Sequence, residues 1–284
     1  MKIGINLLLW TDSPNAVEHI ALFRKIKAWG FDGVEIPIDG LNRETAAALG
    51  AVLDELNLER TTISALDASQ ADPASRDALL RQAAVDALKR NIEHTKAVGA
   101  ELMCGPLFQG LGRFTGRGPE TDEWNYAVKT IREAGEYAQT LGIRIALEPL
   151  NRFEMYIVNT MADGARFVRE VGLPNVGLLA DTHHGNIEEN DVADAWLHAG
   201  SHITHVHISE NNRGVPGSGH AIGPNIFKTL EQIGYDSWVT IEAFGLIVPG
   251  LIPRLHLWRS YAEHNDDAAK LGLAFIQDQM KVRK

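Results

Sequence analysis

Four polar residues in the second half of the chain each close a short apolar run. "IRIALEP" ends on Glu148, "NVGLLAD" on Asp181, "HITHVHIS" carries His207, and "SWVTIEAF" carries Glu242. A buried carboxylate without a partner is costly or takes up a proton, so each acid needs a reason to be there. Singly, each has an ordinary one. Glu148 before a proline would be a loop residue, and Asp181 in "ADTHHGN" a helix cap. His205 and His207 alternate on one strand face, so either would serve as an interior side chain. Glu242 would be half of an ion pair. Four such residues closing four successive runs point instead to one shared site. Three carboxylates and an imidazole brought together repel unless a divalent cation stands among them. An oxygen-rich set with one histidine suits Mn²⁺, Mg²⁺ or Co²⁺ better than a thiolate zinc site.

A second set follows at short spacing. Glu154 lies six residues after Glu148, His184 three after Asp181, and Arg213 six after His207. An acid, an imidazole and a guanidinium above a cation suit a small polyhydroxylated substrate whose oxygens must be oriented. The plainer readings are a packing role for His184 and a solvated loop charge for Arg213. The glycines 214, 217 and 219 beside Arg213 would also form a phosphate cradle, but an unphosphorylated sugar is the favoured expectation.

Elements that alternate along the chain must carry these residues. The strand runs are 2–10, 31–37, 59–67, 100–106, 143–149, 175–181, 202–209 and 237–244. Amphipathic stretches between them predict helices over 15–29, 42–57, 73–98, 120–141, 160–171, 188–199 and 224–233, with a closing helix over 258–280. Gly30, Gly99, Gly142, Gly172 and Gly234 stand where left-handed helix ends are wanted. Eight strand–helix units with apolar strands imply a parallel sheet covered by helices. A closed (β/α)8 barrel spanning 1–284 as one domain fits best. No G-x-G-x-x-G follows the first strand and no P-loop occurs. In such a barrel the chemistry gathers at the C-terminal strand ends, where the four polar residues fall. The glycine-rich stretch 104–124 predicts a functional loop.

The composition agrees with a globular chain: 284 residues, 45% hydrophobic and 23% charged. A net charge of −10 argues against a nucleic-acid or anionic-membrane binder. Cys104 is the single cysteine, so no intrachain disulfide is possible. The opening "MKIGINLLLWTDSP" reads as a strand rather than a leader, and no run is long enough for a membrane span. A cytoplasmic protein is expected. The apolar segment 245–258 predicts a subunit interface or a pocket wall, and with it a homodimer or homotetramer.

"LEPLNRFE", "DTHHGNIEE", "HVHISENNRG" and "TIEAFG" together resemble the D-tagatose 3-epimerase family of ketose 3-epimerases, within the xylose-isomerase-like barrels. The resemblance spans about residues 100–259. It implies that Glu148, Asp181, His207 and Glu242 hold one divalent metal, Mn²⁺ foremost, with Co²⁺ or Mg²⁺ as alternatives. It further implies that Glu148 and Glu242 act as the acid/base pair, and that Glu154, His184 and Arg213 hold the substrate's oxygens. His183 stands where that family has an aromatic residue. The implied reaction interconverts C3 epimers of free ketoses of the tagatose, allulose or ribulose type through a cis-enediolate. The rival chemistries for the same site are aldose–ketose or inosose isomerisation, and elimination from 3-keto sugars or glycosides. An abasic-site endonuclease on this barrel would need more histidines and a basic face.

Overall fold

The computed structural model describes residues 1–281. Eight parallel strands, β1 (Lys2–Asn6), β2 (Gly33–Pro37), β3 (Glu59–Ile63), β4 (Leu102–Gly105), β5 (Arg144–Leu147), β6 (Val176–Asp181), β7 (Ile203–Ile208) and β8 (Trp238–Ile241), pair in sequence order and close into a barrel. Closure is made by β1 against β8, with Lys2 opposite Trp238 and Ile5 opposite Ile241. The (β/α)8 barrel expected from the strand–helix alternation is therefore the observed fold.

The helices are α1 (Ile20–Trp29), α2 (Arg43–Glu55), α3 (Ala78–Ala97), α4 (Thr121–Thr140), α5 (Met161–Val171), α6 (Thr182–Glu188), α7 (Val192–Ala199), α8 (Ile226–Gln232), α9 (Leu251–Arg254) and α10 (Asn265–Lys281). Their apolar faces cover the outside of the barrel, with Phe23, Leu49, Leu88, Ile131, Phe167, Trp196, Phe227 and Ile276 in the shared core. Asn42 caps α2 through Thr45 N at 2.8 Å, as its position predicts. The five glycines expected at helix ends all have positive φ.

Several boundaries differ from expectation. β1 ends at Asn6 rather than near residue 10, because the Asn6 side chain accepts from Leu8 N (2.9 Å) and turns Leu7–Leu9 into a 3₁₀ turn. α1 starts at Ile20, since Asn15 Oδ1 instead takes Val17 N and Glu18 N in a local turn. The stretch after β6 holds two short helices, because Asp181 starts α6 immediately and Asp191 starts α7. α10 begins at Asn265, not 258.

Candidate metal centre and substrate pocket

Glu148 follows β5 and still joins the sheet, donating its N–H to Gly105 O at 3.0 Å. Pro149 then has no N–H to continue. Gly105 itself has φ 127°, and a Cβ there would stand 2.1 Å from Ser64 O, so only glycine lets β4 end where it receives Glu148. Glu242 is placed the same way beyond β8, its N–H on Ile208 O at 3.2 Å. Asp181 divides its carboxylate. Oδ1 caps α6, accepting from His183 N (2.5 Å) and His184 N (3.2 Å), while Oδ2 faces inward. Capping and site roles thus coexist in one residue.

The four strand-end residues converge. From His207 Nδ1, Glu242 Oε1 is 3.5 Å away, Asp181 Oδ2 3.6 Å and Glu148 Oε1 3.8 Å. One ligand atom from each of the four lies within 4.8 Å of all the others, and all four residues are buried. Glu148 Oε1, Asp181 Oδ2 and His207 Nδ1 have no hydrogen-bond partner in the protein. Three orphaned donor atoms pointing at one spot fit a divalent cation, with Glu242 as the fourth ligand. Burial, and then the charges of Glu242 and Asp181, push the Glu148 carboxyl well above its usual range. Burial would raise Asp181 too, but His207, His184 and Arg213 hold it below.

The expected second set gathers beside them. Arg213 donates to Glu242 Oε2 through Nη1 in a tight pair and lies 3.9 Å from Glu154 Oε1. His184 stands between Arg213, 2.9 Å from its Nε2, and Asn151, whose N–H donates to its Nδ1 at 3.1 Å. Burial and the Arg213 charge keep its pKa well below the ordinary value, so it is neutral. Asn151 also holds Glu154 Oε1 at 2.7 Å. His183 packs edge-on to His184 and puts Nδ1 3.0 Å from Glu210 O, so it buttresses the second set rather than facing the cavity centre. Glu148, Glu154, His184, Arg213 and Glu242 share a cavity of about 470 Å³. Pro106 and Leu111 of the 104–124 loop, and Leu251 and Leu255 of the 245–258 segment, form its walls. The apolar segment is thus in part a pocket wall.

Below this layer lies one that spacing did not reveal. Glu35, fully buried in β2, accepts from His207 Nε2 and His205 Nε2, both at 2.7 Å. Thr61 Oγ1 (2.8 Å), Asn6 Nδ2 (3.2 Å) and Cys104 Sγ (3.2 Å) complete its shell. Burial would raise its pKa, but the two histidines take it well below the usual value. His207 Nε2 is thereby fixed as the protonated nitrogen, which leaves Nδ1 as the free donor. Asn6 Nδ2 also reaches Glu242 Oε1 at 3.1 Å and ties the two layers together. The signal in the sequence was an acid at the centre of the apolar strand "GVEIP".

The profile described as xylose isomerase-like TIM barrel matches residues 23–279. The chain belongs to that family. Over 277 residues it is 30% identical to a probable ketose 3-epimerase from Synechocystis sp., covering 98% of this chain and 96% of that one. Over 281 residues it is 31% identical to an L-ribulose 3-epimerase from Methylomonas sp., covering 98% of each. A crystal structure of a Methylomonas D-allulose 3-epimerase in complex with D-allulose, 31% identical, superposes with a TM-score of 0.91 over 98% of this chain and 97% of that one. Among the described residues no helix is long and apolar enough to cross a membrane.

Proposed function

We propose that this chain is a metal-dependent ketose 3-epimerase acting on free ketoses. The observation that carries the reading is the placement of Glu148 and Glu242. Both face one cavity, from the ends of β5 and β8, with β6 and β7 between them. Two carboxylates that enter one cavity from strands that are not neighbours suit removal of a proton from one face of a carbon and return from the other. The similarity to ketose and L-ribulose 3-epimerases over nearly the whole chain supports the same reaction.

In this reading Glu148, Asp181, His207 and Glu242 hold the cation, Mn²⁺ in preference to Co²⁺ or Mg²⁺. When bound, it polarises the substrate carbonyl and offsets negative charge that develops as the C3 proton leaves. The protein's own groups do the rest. Glu148 and Glu242 alternate as base and acid at C3. Arg213, paired with Glu242, keeps that carboxylate oriented and offers its remaining N–H groups to substrate oxygens. Neutral His184 and Glu154 bind hydroxyls as donor or acceptor. The apolar walls at Leu111, Leu150 and Phe244 limit water around the reacting carbon. A homo-oligomer belongs to the same reading, supported by exposed Leu246, Ile247 and Trp258; light scattering that finds only monomer removes it.

The test is proton exchange. Mn²⁺-loaded protein is incubated in D2O with D-allulose, D-fructose, D-tagatose and L-ribulose, and the sugars are examined by NMR. Deuterium at C3 with the matching epimer is the expected result. Deuterium at C1 or C2 with an aldose product assigns the chain to isomerisation, and no exchange in any free ketose withdraws the reading.

A further inference from the structure

The mechanism uses one end of the cavity and leaves the other unexplained. That other end carries Asp12, Ser13, Asp39 and Arg254 beside the backbone of Gly40 and Gly250. Asp39 stands two residues beyond the end of β2, in a turn, and its side chain is exposed to the cleft. It is nevertheless held firmly. Oδ1 accepts from Ser64 Oγ at 2.6 Å and from Asn91 Nδ2 at 2.7 Å, and Oδ2 accepts from Ala65 N at 3.0 Å. Three donors fix the carboxylate, and Oδ2, with a single donor, keeps capacity for another. The surrounding walls desolvate Asp39 enough to push its pKa up, against the pull of Ser64, Ala65 and the Arg254 charge. A carboxylate that only tied loops together would have no cause to face a cavity already lined by the proposed catalytic acids. One that faces it, prepositioned and partly desolvated, is an acceptor waiting for a donor.

The chemistry of that donor follows from the charges. Asp12 and Asp39 are two acids at this end against the single guanidinium of Arg254, while Arg213 is already engaged by Glu242. A dianionic phosphate would meet two like charges there. A neutral hydroxyl meets an acceptor in Asp39 and a donor in Arg254. Resting on the epimerase reading, we propose that Asp39 is a specificity-determining residue that accepts a hydrogen bond from the terminal hydroxyl of an unphosphorylated ketohexose. Arg254 supplies the complementary donor at the cavity mouth. Preference among ketoses is then set by residues in the turn after β2 and in α9, elements that carry none of the four proposed cation ligands and take no part in proton transfer.

The test compares D-allulose with 6-deoxy-D-allulose on Mn²⁺-loaded wild type, Asp39→Ala and Asp39→Asn, by kcat/KM from NMR-followed epimerisation. Wild type is expected to prefer D-allulose by about tenfold or more, the scale of one hydrogen bond to a charged acceptor. Asp39→Ala should lower D-allulose more than the deoxy sugar, so that the preference for D-allulose disappears. Asp39→Asn keeps the volume and one acceptor oxygen, which Ser64 and Asn91 can hold at the Oδ1 position, and puts an NH2 where Oδ2 stood; it covers the case in which the alanine variant folds poorly and should narrow the gap in the same direction. Equal losses on both sugars in Asp39→Asn assign Asp39 to loop structure and overturn the proposal, as does a wild type blind to the 6-hydroxyl. Preference for D-allulose 6-phosphate over D-allulose also overturns it. If wild type turns over neither sugar, the epimerase reading fails on its own. The same comparison is then made as Kd by titration calorimetry, where a gap that Asp39→Asn narrows sustains the subsite and no gap ends it.

Discussion

The two ends of the barrel carry similar residue types and put them to opposite use. At the N-terminal end of the strands, Lys2 pairs with Glu59, Arg60 with Asp54, and the N-terminal ammonium with Asp236. The acids in these pairs are largely exposed and each has its cation. At the C-terminal end Glu148, Asp181 and Glu242 are buried, and two of them hold oxygens with no partner in the protein. The cavity at the paired end is the larger, about 620 Å³ against 470 Å³. Volume therefore does not mark the site. What marks it is charge that the fold desolvates and leaves unneutralised, which costs stability and is retained where a ligand compensates.

That contrast is open to direct attack. The largest effect is expected from Glu148→Gln, which removes one proposed base and one proposed cation ligand: kcat should fall by about 10² to 10⁴. Above the raised Glu148 value the metal-free variant should melt higher than wild type, because a neutral amide avoids the burial of a charge and the repulsion that raise the Glu148 pKa. Calorimetry and epimerisation assays check the pair, and a variant with near-normal turnover removes Glu148 from the chemistry. The folded metal-free protein holds a proton on Glu148 more tightly than the unfolded chain. That stabilising contribution is lost as pH rises through the raised folded value, and cation uptake should weaken as pH falls.

An intermediate effect is expected one layer down. Glu35→Gln leaves the four proposed ligands in place but cannot accept from both histidines, so Mn²⁺ affinity by titration calorimetry should drop about 10- to 100-fold. Unchanged affinity would mean that His207 is oriented by packing alone. The smallest effect belongs to the opposite end. Glu59→Gln breaks an exposed pair, so it should cost under about 1 kcal/mol and leave both Mn²⁺ affinity and turnover untouched. A large loss there would erase the distinction between the two ends.

How much of this was legible in the chain depends on where each residue's partners lie. Glu148, Asp181, His207 and Glu242 were legible because each interrupts an apolar run at its end, a local signal that strand order alone converts into proximity. Glu154, His184 and Arg213 followed from short spacing to those four. Glu35 was not, because its partners His205 and His207 are 170 and 172 residues away and meet it only inside the closed barrel. Asp39 was hidden for a related reason: its donors come from the end of β3 and from Asn91 in α3. The early end of β1 turned on one side-chain acceptor, Asn6, which an apolar run of nine residues does not disclose. Long-range closure and single caps are what pattern reading leaves out.

Asn6 has a last consequence, for anyone who would move this site elsewhere. Its one amide touches Glu35 below and Glu242 above, so the spacing between the two layers is fixed from β1. Copying the four rim residues onto another eight-stranded scaffold would reproduce a list of side chains without their separation or their tautomer. The smallest portable unit is the rim together with Asn6, Glu35, Thr61 and His205, drawn from β1, β2, β3 and β7, which is nearly the girth of the barrel.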